Sequence, residues 1–223
     1  GELAIMHLNR PTIVTPLVVF FTAILGIYFA TSKEPTSKIL YSIFVSLLAS
    51  CVFYVGTVTI PEIQRRKRVR AGLKKQYHWF KKSCVDLFLI ASDSQEYDNR
   101  ENLLDPGEFR RYFKILANDS QTRWDLVATA IDEGDYIFEE LVNQFEFLIH
   151  EVNTARSRVE MYDDDVEDFF SRMVQTVHRI KLTKPNTDDF KFVGRTLWAI
   201  FTRWDHTEGQ RQDDMIETMI ERI

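Results

Sequence analysis

The sequence predicts an all-α protein with three parts: a two-helix transmembrane hairpin, a long connecting helix and a cytosolic helical bundle. Three observations predict it. Two runs, Pro11–Ser32 and Ile39–Pro61, contain no charged residue. Each exceeds 20 residues, and at about 1.5 Å per residue each reaches roughly 30 Å, the depth of a bilayer core. Between them lies only Lys33-Glu34-Pro35-Thr36-Ser37-Lys38, room for a turn. Beyond Pro61 the apolar residues recur at helical spacing, and no stretch alternates at period two for long enough to be a strand.

The net charge of −5 conceals a division along the chain. Residues 62–82 hold nine Lys or Arg against Glu62, giving +8, whereas residues 83–223 hold 30 acids against 16 bases, giving −14. Basic residues beside a membrane helix stay in the cytoplasm. The cluster Arg65, Arg66, Lys67, Arg68 and Arg70 therefore places the C-terminal part inside, at anionic headgroups, and two crossings return the N-terminus to the same side. The expected location is a membrane, with both termini in the cytoplasm. A cleaved signal peptide fits the first run poorly, because its flank has little positive charge and a second run follows. Cys51 and Cys84 fall in different parts and do not pair, in keeping with a reducing compartment.

In order, the hairpin occupies residues 1–61, with spans at about 12–31 and 37–60. In the first span Thr15, Thr22 and Gly26 share a face. In the second, Ser42, Ser46 and Ser50 are four apart, and Thr57 extends the stripe. Small and hydroxyl residues let helices approach closely, so this stripe either packs the hairpin or faces other subunits and a water path. Neither uncharged run, Pro11–Ser32 or Ile39–Pro61, carries an Asp, Glu, Lys, Arg or His, which argues against a proton relay or an ion-coupled transporter.

The connecting helix covers 62–92. Its apolar positions Val69, Leu73, Tyr77, Phe80, Cys84, Leu87 and Ala91 step by four or three, as in a heptad seam. A parallel coiled coil and packing on the chain's own bundle are the two alternatives. The bundle covers 93–223. Residues 92–106 form a polar loop; an EF-hand fails there because ligand positions and a twelfth-position Glu do not fall into place. Helices then follow at Gly107–Ala117, Ser120–Ile131 with Asn118 or Ser120 as cap, Asp135–Met161, and Asp163–Leu182. A turn at Thr183–Asn186 leads to Asp188–His206 and a short helix after Gly209. The chain has seventeen Phe and four Trp, and those beyond the two apolar runs supply an aromatic core.

Catalytic signatures fail one by one. His150-Glu151 lacks the second His of a zinc-protease helix, since position 154 is Thr. The eight glycines do not cluster into a phosphate loop, and no GxSxG or CxxC occurs. The expectation is no catalytic site, no metal and no cofactor. Nucleic acid is disfavoured by the −14 domain behind the basic helix. Two basic sets could hold an anionic ligand: Arg110, Arg111 and Lys114, and Arg156, Arg158, Arg172 and Arg179. A guanidinium bonds phosphate oxygens bidentately, although these groups also have acids nearby to pair with.

The stretch Val142-Asn143-Gln144-Phe145-Glu146-Phe147-Leu148-Ile149, then Val152, then Tyr162-Asp163-Asp164-Asp165-Val166, resembles bacterial proteins with two N-terminal membrane helices and a cytosolic helical domain. Members of that architecture look like membrane effectors of anti-phage defence. The resemblance implies no enzymatic activity. Asn143 and Glu146, one turn apart, are expected to hydrogen-bond between helices. Together these readings predict a membrane-anchored, non-enzymatic sensor or effector. Its bundle would form homo-oligomers or bind a cytosolic protein or a small anion, and its hairpin would act on membrane lipid. A passive scaffold that recruits a cytosolic protein is the alternative.

Overall fold

The structure is a computed structural model that describes residues 24, 35–133, 136–182, 188–205 and 209–223. It is mostly helical. The expected first span, about 12–31, lies outside the described residues except for Ile24, which is helical, so one long apolar helix is seen rather than a hairpin. The chain divides into two units, Gly1–Lys67 and Arg68–Ile223.

Helix α1 is Pro35–Tyr54 and α2 is Ile60–Ala91, joined through a π turn at Val55–Thr59. Helical backbone thus runs unbroken from Tyr41 to Ala91, and its apolar beginning is long enough to cross a membrane. Half-covered residues in this stretch are Phe44, Leu48, Cys51, Val55 and Thr59, in steps of four, three, four and four. Ser42, Ser46 and Ser50 are exposed. At about 100° per residue the serines lie roughly 180° from the half-covered stripe. The hydroxyls of Ser50 and Thr57 donate to the carbonyls of Ser46 (2.9 Å) and Phe53 (2.7 Å) on their own helix. Thr57, exposed like the serines, sits inside the π turn.

The second unit is built on α2. Of its predicted seam, Leu73, Tyr77, Phe80, Cys84 and Leu87 are buried, and Val69 and Ala91 pack at the edge. The seam serves the bundle's own core rather than a coiled coil: Phe80 meets Phe145 at 4.9 Å between ring centroids. Val85, Phe88 and Leu89 are buried as well, so toward its C-terminal end the helix is covered beyond a single stripe. Phe88 meets Phe109, Phe113, Trp124 and Phe201, with centroids 5.2–6.1 Å away and rings at 71–87°. These edge-on contacts place positive ring edges against negative faces.

After a turn and a 3-10 segment at Arg100–Leu104 come α3 (Pro106–Phe113) and α4 (Arg123–Asp132). Asp105 caps α3, accepting from the backbone of Gly107 and Glu108, with Pro106 at the first position. The cap of α4 is Thr122, not Asn118 or Ser120. Thr122 and Asp125 form a reciprocal capping box, while Asn118 Oδ1 accepts from the Ser120 and Gln121 amides and closes the preceding turn.

Helices α5 (Tyr136–Arg158) and α6 (Asp164–Leu182) pack against each other, and α7 (Asp188–Thr202) packs on α3, α4 and α6. The expected helix to His206 stops at Thr202. Arg203 adopts a left-handed φ of 54°, and a two-residue hairpin follows, β1 (Trp204–Asp205) with β2 (Gly209–Gln210). Two residues per strand leave no alternating period to read in the sequence. Asp214 then caps α8 (Met215–Arg222), which packs on α6.

Candidate functional site

A cavity of about 630 Å3 opens in the second unit beside α6, α7 and the hairpin. Phe145, Leu148, Phe169, Met173, Ile200 and Ile216 supply apolar lining. Phe169 and Met173 belong to the predicted core face of α6, yet they are only half-buried because they border this space. Four arginines, Arg172, Arg195, Arg203 and Arg211, line it too, together with Asp213 and Asp214.

The hairpin creates part of this charge. Trp204 pairs with Gln210 and Asp205 with Gly209, which sets Arg203 directly across from Arg211. The Arg211 amide donates to the Arg203 carbonyl at 2.9 Å. Arg203 Nη1 donates to the Gln212 carbonyl at 2.6 Å, while its buried Nε has no hydrogen-bond partner among the described residues. Arg211 Nη1 approaches Met215 Sδ at 2.9 Å. Arg195 is exposed and forms no ion pair among the described residues.

Asp214 is already engaged. Its carboxylate accepts from the Tyr77 hydroxyl at 2.9 and 3.0 Å, from Lys81 Nζ at 3.3 Å, and from the amides of Ile216 and Glu217. Its side chain is 5% exposed and that of Lys81 10%. The ammonium also lies over the rings of Tyr77 (5.5 Å) and Phe201 (6.0 Å). One buried carboxylate therefore ties α2 to α8. With Asp214 neutralised by Lys81, the cavity wall carries a surplus of positive charge.

Burial, followed by the charge and hydrogen bond of Asp214, pushes the Tyr77 phenol well above its ordinary 10.0; Glu217 adds to the rise and Arg203 opposes it. Burial likewise raises the Cys84 thiol above 9.0. A group whose folded value is raised stabilises the fold below its unfolded value and loses that contribution as pH climbs toward the folded one. The melting temperature should therefore fall on the alkaline side, with the Tyr77 share starting at about pH 10. Tyr77→Phe should flatten the fall above that pH; superimposable Tm–pH curves for the two proteins would contradict the assignment.

Of the seven basic residues expected to bind an anion, only Arg172 lines this cavity. The first set does not converge. Arg110 donates to the Thr202 carbonyl (2.9 Å) and to Gln210, holding the hairpin; Arg111 pairs with Glu108; Lys114 is exposed. In the second set Arg156 bonds Glu167 and Ser171, Arg158 is exposed, and Arg179 lies over the Phe192 ring at 5.0 Å. Among the headgroup residues, Arg65, Lys67 and Arg68 are exposed. Arg66 is mostly covered and bonded to Glu62 at 3.1 Å, and Arg70 is half-buried. Asn143 bonds Glu140 within its own helix, whereas Glu146 does reach the next helix, pairing with Lys181.

Reading the sequence alone misses Arg195, Arg203, Arg211 and the Tyr77–Lys81–Asp214 node. The signal for the last is Asp214 three residues before Glu217, a helix-start pattern beside Met215. Among the described residues no three of His, Cys, Asp and Glu gather as metal ligands. No family model, no curated protein and no solved structure matches the chain.

Proposed function

We propose that the protein is a membrane-anchored, non-enzymatic sensor or effector. Its bundle responds to an anionic ligand or to a partner copy, and its apolar helices act on the bilayer. The carrying observation is the unbroken helical backbone from Tyr41 to Ala91. It begins apolar and exposed, and it ends buried in the bundle core, with Tyr77 on the wall of the cavity. The basic residues from Arg65 to Arg70 favour a cytoplasmic bundle. The serine stripe supports an oligomer, because it faces away from the half-covered side of α1 and offers a close-packing surface to another chain. The resemblance to defence effectors makes leakage of a bacterial inner membrane the output to look for.

The test replaces Ser42, Ser46 and Ser50 together by Leu in the full chain. Wild type in nanodiscs should have the mass of four or more chains and should make vesicles leak. The triple variant should drop to monomer or dimer and lose leakage, with the bundle's Tm unchanged. A monomeric or dimeric wild type would overturn the pore, since so few helices cannot enclose a path, and would favour the passive scaffold. Leakage that survives the triple substitution would remove the serine face from the mechanism.

A further inference from the structure

We propose that the 630 Å3 cavity is a binding site for an amphipathic anion: one acyl chain on the apolar lining, with a carboxylate or phosphate head at Arg172, Arg195 and Arg203. The inference deepens the reading of the bundle as the sensing part and rests on it. The volume is in the range of small-molecule sites, roughly 300–1,000 Å3. The lining is divided by chemistry. Phe169, Met173, Ile200 and Ile216 offer aliphatic and aromatic surface with no hydrogen-bonding side-chain group, which suits a methylene chain better than a sugar or a hydrated ion. The charged lining is four arginines against Asp213 and Asp214, and the buried Asp214 is consumed by Lys81 and Tyr77. Two features carry the argument for an anion independently of the apolar lining. Four arginines line the cavity against one acid, Asp213, once Asp214 is paired with Lys81. The Arg203 Nε is buried with no hydrogen-bond partner among the described residues, a donor that costs stability until something accepts from it. Arg195 adds a cation with no ion pair among the described residues.

An acyl chain also partitions into lipid, so the test must locate it. The full chain in nanodiscs is irradiated with palmitate carrying a diazirine in mid-chain, and labelled peptides are mapped by mass spectrometry. Saturable labelling is expected around Phe169–Met173 and Phe192–Ile200. Excess dodecyl phosphate or laurate should compete it away, and the stronger competitor identifies the head group. Inorganic phosphate should not compete. Arg195→Gln combined with Arg203→Gln should cut labelling about tenfold, the loss of one good charge-assisted hydrogen bond or more. Arg158→Gln, exposed and off the cavity, should leave it unchanged, and Met173→Trp should block it by filling the space. Labelling confined to Tyr41–Ile60, labelling unaffected by the arginine pair, or displacement by inorganic phosphate would each overturn the proposal. If the label avoids the cavity while particle mass and leakage behave as expected, the ligand class is wrong and the sensor reading stands. If the cavity is labelled in a monomeric, non-leaking protein, the ligand class stands and the effector reading falls.

Discussion

Asp214→Ala should lower the stability of the bundle by about 3–5 kcal/mol, the range for stranding one partner of a buried ion pair. Three losses coincide at this side chain. Lys81, 10% exposed, would keep its charge with no carboxylate beside it. The Tyr77 hydroxyl would lose both of its 2.9–3.0 Å contacts. Helix α8 would lose its cap, worth about 1 kcal/mol alone. The terms share one atom group and will not add. For a unit of this size the change corresponds to a fall in Tm of roughly 10 °C, measurable by circular dichroism of the full chain in detergent. Asp214→Asn should cost less, because an amide oxygen still caps the helix and accepts from Tyr77. Adding Lys81→Met to Asp214→Asn should recover part of that loss, since it removes the stranded charge. A Tm unmoved by Asp214→Ala would mean that the node does not form.

The second large effect is expected at Phe88. This side chain is fully buried and touches four aromatic rings drawn from α3, α4 and α7. Phe88→Ala should cost about 3–5 kcal/mol through lost transfer energy and the space left behind. The cost falls at the upper end if the surrounding rings cannot collapse inward, and four large planar groups at steep angles to Phe88 repack poorly. Phe88→Leu, which fills most of the volume, should cost clearly less. Equal losses for Ala and Leu would show that edge-to-face ring geometry, rather than volume, dominates there.

The fold is legible in the sequence where a helix has one dry side. In α5 the predicted face Ile137, Leu141, Phe145, Leu148, Val152 and Ala155, with Val159 just beyond, is buried throughout. In α2 the seam is correctly placed, and only its partner is open, since spacing of four and three serves a coiled coil and a bundle alike. Phe88 escapes that seam because a helix covered on several sides has no single face to find. The membrane-crossing stretch is visible from hydropathy alone, and the fate of its serines is not: their spacing defines a face, and only the half-covered Phe44–Thr59 stripe shows that it is the opposite one. The candidate site is the least legible part. Arg203 and Arg211 become neighbours through strands of two residues, too short to carry a pattern, and Arg195 joins them on the cavity wall through the packing of α7. Counting basic residues along the chain therefore picks seven candidates, of which one lines the cavity.

The contacts between α2 and the C-terminal segment also bear on how the protein comes into being. Lys74 to Glu221, Tyr77 to Asp214 and Lys81 to Asp214 are separated by 147, 137 and 133 residues. Closing so long a loop precedes any gain from the contact and slows folding. During synthesis, at about 5–20 residues per second, Tyr77 and Lys81 wait on the order of ten seconds for their carboxylate. Throughout that interval α2 displays Leu73, Tyr77 and Phe80 without the α8 segment that later covers one end of them. The nascent chain thus carries an apolar flank that is sealed last and stays open to wrong contacts until the α8 segment arrives.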